Sequence, residues 1–223
     1  VGVSDSITPR KSAVPGDVIM MTEGAGGGTV CSAALYYDRH EVVEETLNIK
    51  FLEAAEALLK ENLTIHAMTD VTNGGIRGDA KEISYTAAVK LVFEEEKMSR
   101  LVNPRVLNML DDLEIDYLGV SIDALLIIAP PQEAERISRV IREAGVAVDQ
   151  IGTVEKGSGA YLRVDGQLSD FSPRFREAAY TPIKKAVGQE AARDVEEMRA
   201  GVDLAARNAV EKKRRFIDKI KKN

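Results

Sequence analysis

The stretch "IHAMTDVTNGGIRGDA", residues 65–80, puts in one turn the residue types that hold charged oxygen. Asp70 closes a short apolar run, Thr72, Asn73, Gly74 and Gly75 follow it, and a helical pattern comes next. A strand ending at Asp70 and a helix starting near Gly75 would set backbone N–H groups at a helix N-terminus, an anion-binding arrangement. Glycines let the backbone approach a phosphate closely. Thr72 or Asn73 can cap the helix or donate to an oxygen. Asp70 is a hard oxygen ligand suited to Mg²⁺ that bridges phosphates. A turn that needs only this backbone geometry, with its cap satisfied, accounts for the same residues. Spacing alone leaves both readings open.

A second glycine-rich turn, "GAGGGT", places Gly26, Gly27, Gly28 and Thr29 between a β-rich run and a helical pattern. It matches neither G-x-x-x-x-G-K-[ST] nor G-x-G-x-x-G, because Thr29 stands where the last glycine belongs. A tight loop and a phosphate cradle are both compatible with it, and two such turns in one domain suggest more than either alone. The other polar candidates carry less. His40 and His66 have no Cys or carboxylate neighbours at ligand spacing, so zinc is not expected. His66 is expected to sit satisfied inside a strand, and Cys31 to be a buried small residue near the glycine loop. Arg174, Arg176, Lys184 and Lys185 could meet an anion, with a solvated surface as the default.

The elements that must position these turns alternate along 223 residues. Pro15-Gly16-Asp17 signals a turn before the strand "VIMMT". "LNIKFLEAAEALLKEN" predicts an amphipathic helix with Leu47, Phe51, Leu52, Ala55, Leu58 and Leu59 along one side. "TIHAMTDV" predicts a strand and "IRGDAKEISYTAA" a helix. "VKLVFEEE" alternates Val89, Leu91 and Phe93, as a strand with one wet face does, and "FEEEKMSR" reads as its solvated end. Asn103 is the expected N-cap of a helix with Pro104 at its first position. The apolar run Ala124 to Ala129 suits a central strand covered on both faces. "QEAERISRVIREAG" is a helix stopped by Gly145, and residues 146–168 predict two strands around a Gly-Ser-Gly turn. The expected fold class is α/β (α+β), a layered mixed sheet covered by helices, over residues 1–187.

Residues 188–223 predict a separate long amphipathic helix, with Val195, Met198, Val202, Ala205, Ala209 and Phe216 at heptad-like spacings. Gly201 interrupts it. Packing on its own domain is expected, with docking of a partner helix as the alternative.

Bulk composition narrows the function classes. The hydrophobic fraction is 44%, the charged fraction 30% and the aromatic fraction 5%, with no Trp, so base-stacking surfaces are not expected. The net charge is −6, yet residues 211–223 hold seven Lys or Arg against two acids, so the rest carries about −11 and a general nucleic-acid binder is not expected. The basic tail reads as the wet face of a terminal helix. One cysteine cannot form an internal disulfide. No run approaches the ~18 apolar residues of a membrane span. The N-terminus carries neither a signal peptide nor an initiator Met, so a cytoplasmic location and an excised piece are the expectation.

"PGDVIMMTEGAGGGT", "HAMTDVTNGGI" and "GVSIDALLIIAPP", in that order, resemble the C-terminal domain of the aminoimidazole ribonucleotide (AIR) synthetase superfamily. Selenophosphate synthetase, formylglycinamidine ribonucleotide synthetase, thiamine-monophosphate kinase and the hydrogenase-maturation dehydratase are members. The similarity spans roughly residues 1–165. It implies the AIR synthetase C-terminal-domain fold and an ATP-dependent, Mg²⁺-assisted activation of a small phosphorylated substrate. It also implies a homodimer and an N-terminal ATP-binding domain that this chain lacks. On this resemblance Asp70 is a Mg²⁺ ligand, Thr72, Gly74 and Gly75 line the phosphate end, and Gly26 to Thr29 lie near the substrate. Asn73 stands where Gly is common, and Asp123 where relatives often carry a small residue, which bears on the neighbouring substrate contact. Without a cysteine near the C-terminus, carbamoyl transfer is not expected. The alternative is a non-catalytic ligand-binding or assembly domain that keeps the fold.

Overall fold

The computed structural model describes residues 7–72, 74–173 and 195–222. Its strands are β1 (Val18–Thr22), β2 (Ala67–Asp70), β3 (Lys90–Glu94), β4 (Leu125–Ala129), β5 (Val148–Glu155), β6 (Gly159–Val164) and β7 (Gln167–Asp170). They form one mixed sheet in the order β2-β4-β1-β5-β3-β6-β7, in which β3 and β6 run parallel and every other neighbouring pair is antiparallel.

Strands β1 and β4 are wholly buried, and their alternate residues feed two cores. Ile19, Met21, Leu126 and Ile128 face the larger core, closed by the helices α1 (Gly28–Tyr36), α4 (Gly75–Ala87) and α6 (Pro104–Asp112). Val18, Met20, Leu125 and Ile127 face the other, where Ala54 and Leu58 of α3 (Lys50–Leu59) meet Ile137 and Ile141 of α7 (Ala134–Glu143). The continuous apolar run Ala124 to Ala129 thus forms a doubly covered strand, as its composition predicts.

Three local expectations change. Val92 is buried along with Leu91 and Phe93, so β3 has no wet face; it lies between β5 and β6 and is covered on both sides. "FEEEKMSR" is no solvated strand end, because Glu95–Ser99 turns into a short helix with Met98 fully buried. Glu95 and Glu96 in its first turn suit the positive end of a helix dipole. Leu52 and Leu59 of α3 are exposed, since its buried face runs through Ala54 and Leu58 instead. A further strand, β7, follows the turn at Asp165-Gly166.

Asn103 caps α6 as expected. Its Oδ1 accepts from Arg105 N (2.9 Å) and Val106 N (3.4 Å), and Pro104 occupies the first turn. Asn103→Ala is expected to cost about 1 kcal/mol, which thermal denaturation would register as a melting point lower by roughly 2–4 °C.

The C-terminal helix spans Val195–Lys222 (α8 below). Gly201 allows close packing, since a Cβ there would sit 2.5 Å from the His40 ring. Ala205 is buried and Ala209 and Phe216 are half-buried, so the covered face follows the heptad-like stripe at these positions, while Val202 is exposed. The side chains of Val195 and Met198 lie outside the described residues, as do Arg174, Arg176, Lys184 and Lys185. No described helix is long and apolar enough to cross a membrane.

Candidate functional site

The register of the sheet brings the two glycine-rich turns to one edge. Met21 pairs with Leu126 and Asp70 with Leu125, so β1 and β2 end where β4 begins. Thr22 Oγ1 accepts from Leu125 N at 2.8 Å and fastens β1 to β4 there. Past the strands the chains stay knitted. Val71 N donates to Ala124 O (2.8 Å), Asp123 N to Val71 O (3.3 Å), and Gly26 N to Ile122 O (3.0 Å). The three segments singled out in the sequence therefore form one rim, although up to a hundred residues separate them.

The Asp70 turn has a demanding backbone. Gly75 N donates to Thr72 O at 2.9 Å, and Gly74 and Gly75 adopt φ of +91° and +61°. A Cβ on Gly75 would lie 2.4 Å from Leu118 O and 2.7 Å from Val120 N. Both conformation and packing thus require glycine at position 75. Neither Thr72 nor any other described side chain caps α4; its N-cap is Gly74. Asn73 lies outside the described residues.

That geometry does not explain Asp70. It is exposed, and its carboxylate makes no hydrogen bond or ion pair with a described side chain. Thr72 beside it is exposed as well. Among the described residues, a carboxylate without a hydrogen-bond or ion-pair partner and a helix N-terminus without a side-chain cap share this turn.

At the second turn, Gly27 is the N-cap of α1, again without a side-chain cap. Gly26 has φ of +82° and Gly28 opens onto free space. Thr29 is buried in the first turn of α1. Asp123 fills the space over Gly27, where a Cβ would lie 2.7 Å from its Oδ1. Its backbone is left-handed (φ +49°), and Ser121 Oγ donates to Oδ1 at 2.8 Å. Burial raises its pKa, the Ser121 hydrogen bond opposes the rise, and the Asp70 charge adds to it. Asp123 thus sits between the two turns, with its carboxylate over Gly27 and the Asp70 charge acting on it.

Sequence reasoning missed the group beneath Asp70. Arg10 Nη2 contacts Asp79 Oδ1 at 2.6 Å and Thr69 Oγ1 at 2.8 Å, and Nη1 pairs with Glu82. Asp79 is buried and its Oδ2 has no partner among the described residues. Burial raises its pKa to about 7, Arg10 pulls the other way, and Asp70 and Glu82 push it up further. The helical pattern puts Asp79 four residues from Gly75; only folding brings Arg10 against it.

The remaining candidates stand apart. His66 lies just before β2 with Nδ1 2.8 Å from Asp17 Oδ2. Cys31 is half-buried in α1, less covered than expected, and packs on the larger core. Among the described residues no group of three or more His, Cys, Asp or Glu could hold a metal.

The segments that build this rim fall within one family match. Residues 14–165 match the AIR synthase related protein, C-terminal domain. This chain belongs to that family. A protein of Methanocaldococcus jannaschii is 48% identical over 217 residues, covering 96% of this chain and 47% of the relative. Selenide, water dikinase of Caldanaerobacter subterraneus subsp. tengcongensis is 23% identical over 111 residues, 46% of this chain and 30% of that enzyme. The chain therefore spans about half the length, or less, of these curated relatives. Escherichia coli HypE shares the fold, with a TM-score of 0.65 at 17% identity over 81% of this chain and 56% of that one. The hydrogenase maturation protein HypE in complex with ATP does so with a TM-score of 0.61 at 21% identity over 78% and 55%. The mixed sheet with helices on both faces is the fold of this AIR synthetase superfamily domain, and α8 is an addition to it.

Proposed function

We propose that this chain is the phosphate-side C-terminal part of an ATP-dependent enzyme, which activates a small phosphorylated substrate by Mg²⁺-assisted phosphoryl transfer. The observation that carries the reading is the Asp70 turn, where an exposed carboxylate, unpaired among the described residues, stands beside a helix start that no described side chain caps. Backbone N–H groups of the first turn of α4 would receive phosphate oxygens, with Thr72 donating beside them. Gly28 leaves the start of α1 open beside Asp123, which covers Gly27, so a second oxygen-rich group could approach there.

The donor set suits Mg²⁺, which needs only one or two carboxylates alongside phosphate oxygens and water. Asp70 would hold it, and Asp123 is the second carboxylate at the rim. Bound there, the ion would neutralise charge on the transferring phosphoryl group. The remaining acidic ligands and the nucleotide pocket would come from an N-terminal ATP-binding domain, paired in a homodimer and working in the cytoplasm. The ATP complex of HypE and the dikinase named among the relatives support nucleotide use.

Calorimetric titration of the two-domain protein with Mg·ATP is the test. Asp70→Asn is expected to weaken binding by roughly tenfold or more, the worth of one charged contact. Tight nucleotide binding that Asp70→Asn leaves untouched would sink the reading, and no binding at all would favour a non-catalytic assembly domain.

A further inference from the structure

Away from the rim, a cavity of about 470 Å³ opens between the domain and α8. Its size falls within the range of small-ligand pockets, roughly 300–1,000 Å³. Neither Asp70 to Gly75 nor Gly26 to Thr29 lines it, although Gly24 and Ala25 at the start of the GAGGGT stretch do. One wall is Glu23, Gly24 and Ala25, the segment that runs directly into Gly26. The helix α8 supplies Lys212, Phe216 and Lys219. That helix lies beyond the family match at residues 14–165, yet the alignment with the Methanocaldococcus jannaschii protein covers 96% of this chain and so includes most of it.

The charges of the lining are nearly all answered. Glu23 accepts from Lys50 Nζ at 2.5 Å and from Ala147 N at 2.8 Å. Glu45 accepts from Asn103 Nδ2 at 3.0 Å and from Arg105 Nη1 at 3.2 Å. Glu53 pairs with Lys219, and Arg100 pairs with Glu96. Lys212 is different. Among the described residues it has no carboxylate at ion-pair distance, and its Nζ donates to the backbone carbonyl of Glu44. Burial lowers its pKa, against the pull of Glu45 and Glu44 and with help from Arg215 and Lys50. A half-buried cation that has no carboxylate at ion-pair distance among the described residues can take an anionic partner. Beside it, Phe216, Ile49 and Leu101 give the cavity an apolar side.

We propose that this cavity is a second ligand site, one that takes a small organic anion, with its carboxylate or phosphate oxygens on Lys212 and its apolar body against Phe216 and Leu101. The site is independent of the reading of the Asp70 turn, because it shares no residue with it.

The test is amide-resolved NMR of the ¹⁵N-labelled chain, titrated separately with phenyl phosphate, phenylacetate and inorganic phosphate. The expected result is saturable shifts at Lys50, Leu101, Lys212 and Phe216 with phenyl phosphate or phenylacetate, while Thr72 and Gly74 stay still. Whichever of the two saturates first names the anionic group. Lys212→Met keeps the apolar stem and is expected to weaken binding roughly tenfold, whereas Lys212→Arg retains it. Shifts confined to Thr72 and Gly74, no shift up to about 10 mM ligand, or equal binding by Lys212→Met would each overturn the proposal.

Discussion

Gly75→Ala is expected to cost roughly 3 kcal/mol, from the left-handed backbone and the overpacking together. At position 75 φ is +61°, which alone costs a residue with a Cβ about 1–2 kcal/mol. The added Cβ would stand 2.4 Å from Leu118 O and 2.7 Å from Gly119 C. Those are backbone atoms and cannot swing aside, so α4 would have to retreat from the 3-10 turn Tyr117–Gly119. For a chain of this size the loss corresponds to a melting point lower by roughly 6–12 °C. Gly28→Ala is the contrast: no atom lies within 4 Å of its Cβ position, and a change within about 0.5 kcal/mol is expected. Calorimetric melting of both variants decides it, and equal melting points would show that the close approach is not a constraint.

Arg10→Ala is expected to cost about 3 kcal/mol at pH 8, because it strands a buried carboxylate. Asp79 is 5% exposed, and with Arg10 gone Oδ1 would join Oδ2 in lacking a partner. The cost should shrink towards pH 5, where Asp79 carries a proton. In the wild type the folded pKa, about 7, lies above the ordinary 3.8, so the folded state binds more protons between these values. The contribution of Asp79 to stability is therefore fully present below about pH 4 and is lost as pH rises through 7. Over that window the loss is on the order of 4 kcal/mol. Asp79→Asn should remove this slope. Urea denaturation of wild type and Asp79→Asn at pH 5 and pH 8 measures it as a difference, which cancels the opposite trend of other carboxylates. Parallel stability curves for the two proteins would show that Asp79 is ionised throughout.

The arrangement beneath Asp70 has a consequence for the candidate site. Arg10 belongs to the segment that precedes the family domain, and its Nη2 is held by Thr69, next to Asp70 in β2. The chain entering the domain is thus tied to the strand that carries the candidate metal ligand. Any rearrangement of that entry would be felt at the turn through a charged contact.

Much of this architecture was legible because it is local. The αL glycines at 74 and 75, the Asn103 cap and the apolar run of β4 each follow from a few adjacent residues with a narrow range of favourable conformations. The three segments that carry the family resemblance were readable for the same reason, since their turns constrain residue type strongly. Tertiary structure decided what depends on distant partners. Strands β5 and β6 are joined by a Gly-Ser-Gly turn, yet β3 lies between them, a choice made by sheet pairing and by covering both faces of Val92. The fit of Gly201 of α8 against the His40 ring is another such contact, which no periodicity within the helix encodes. Asp123 and Asp79 became site residues only when folding brought Gly27 and Arg10 against them. A sequence specifies which backbone a turn will accept; which charges end up buried together depends on the packing of elements far apart in the chain.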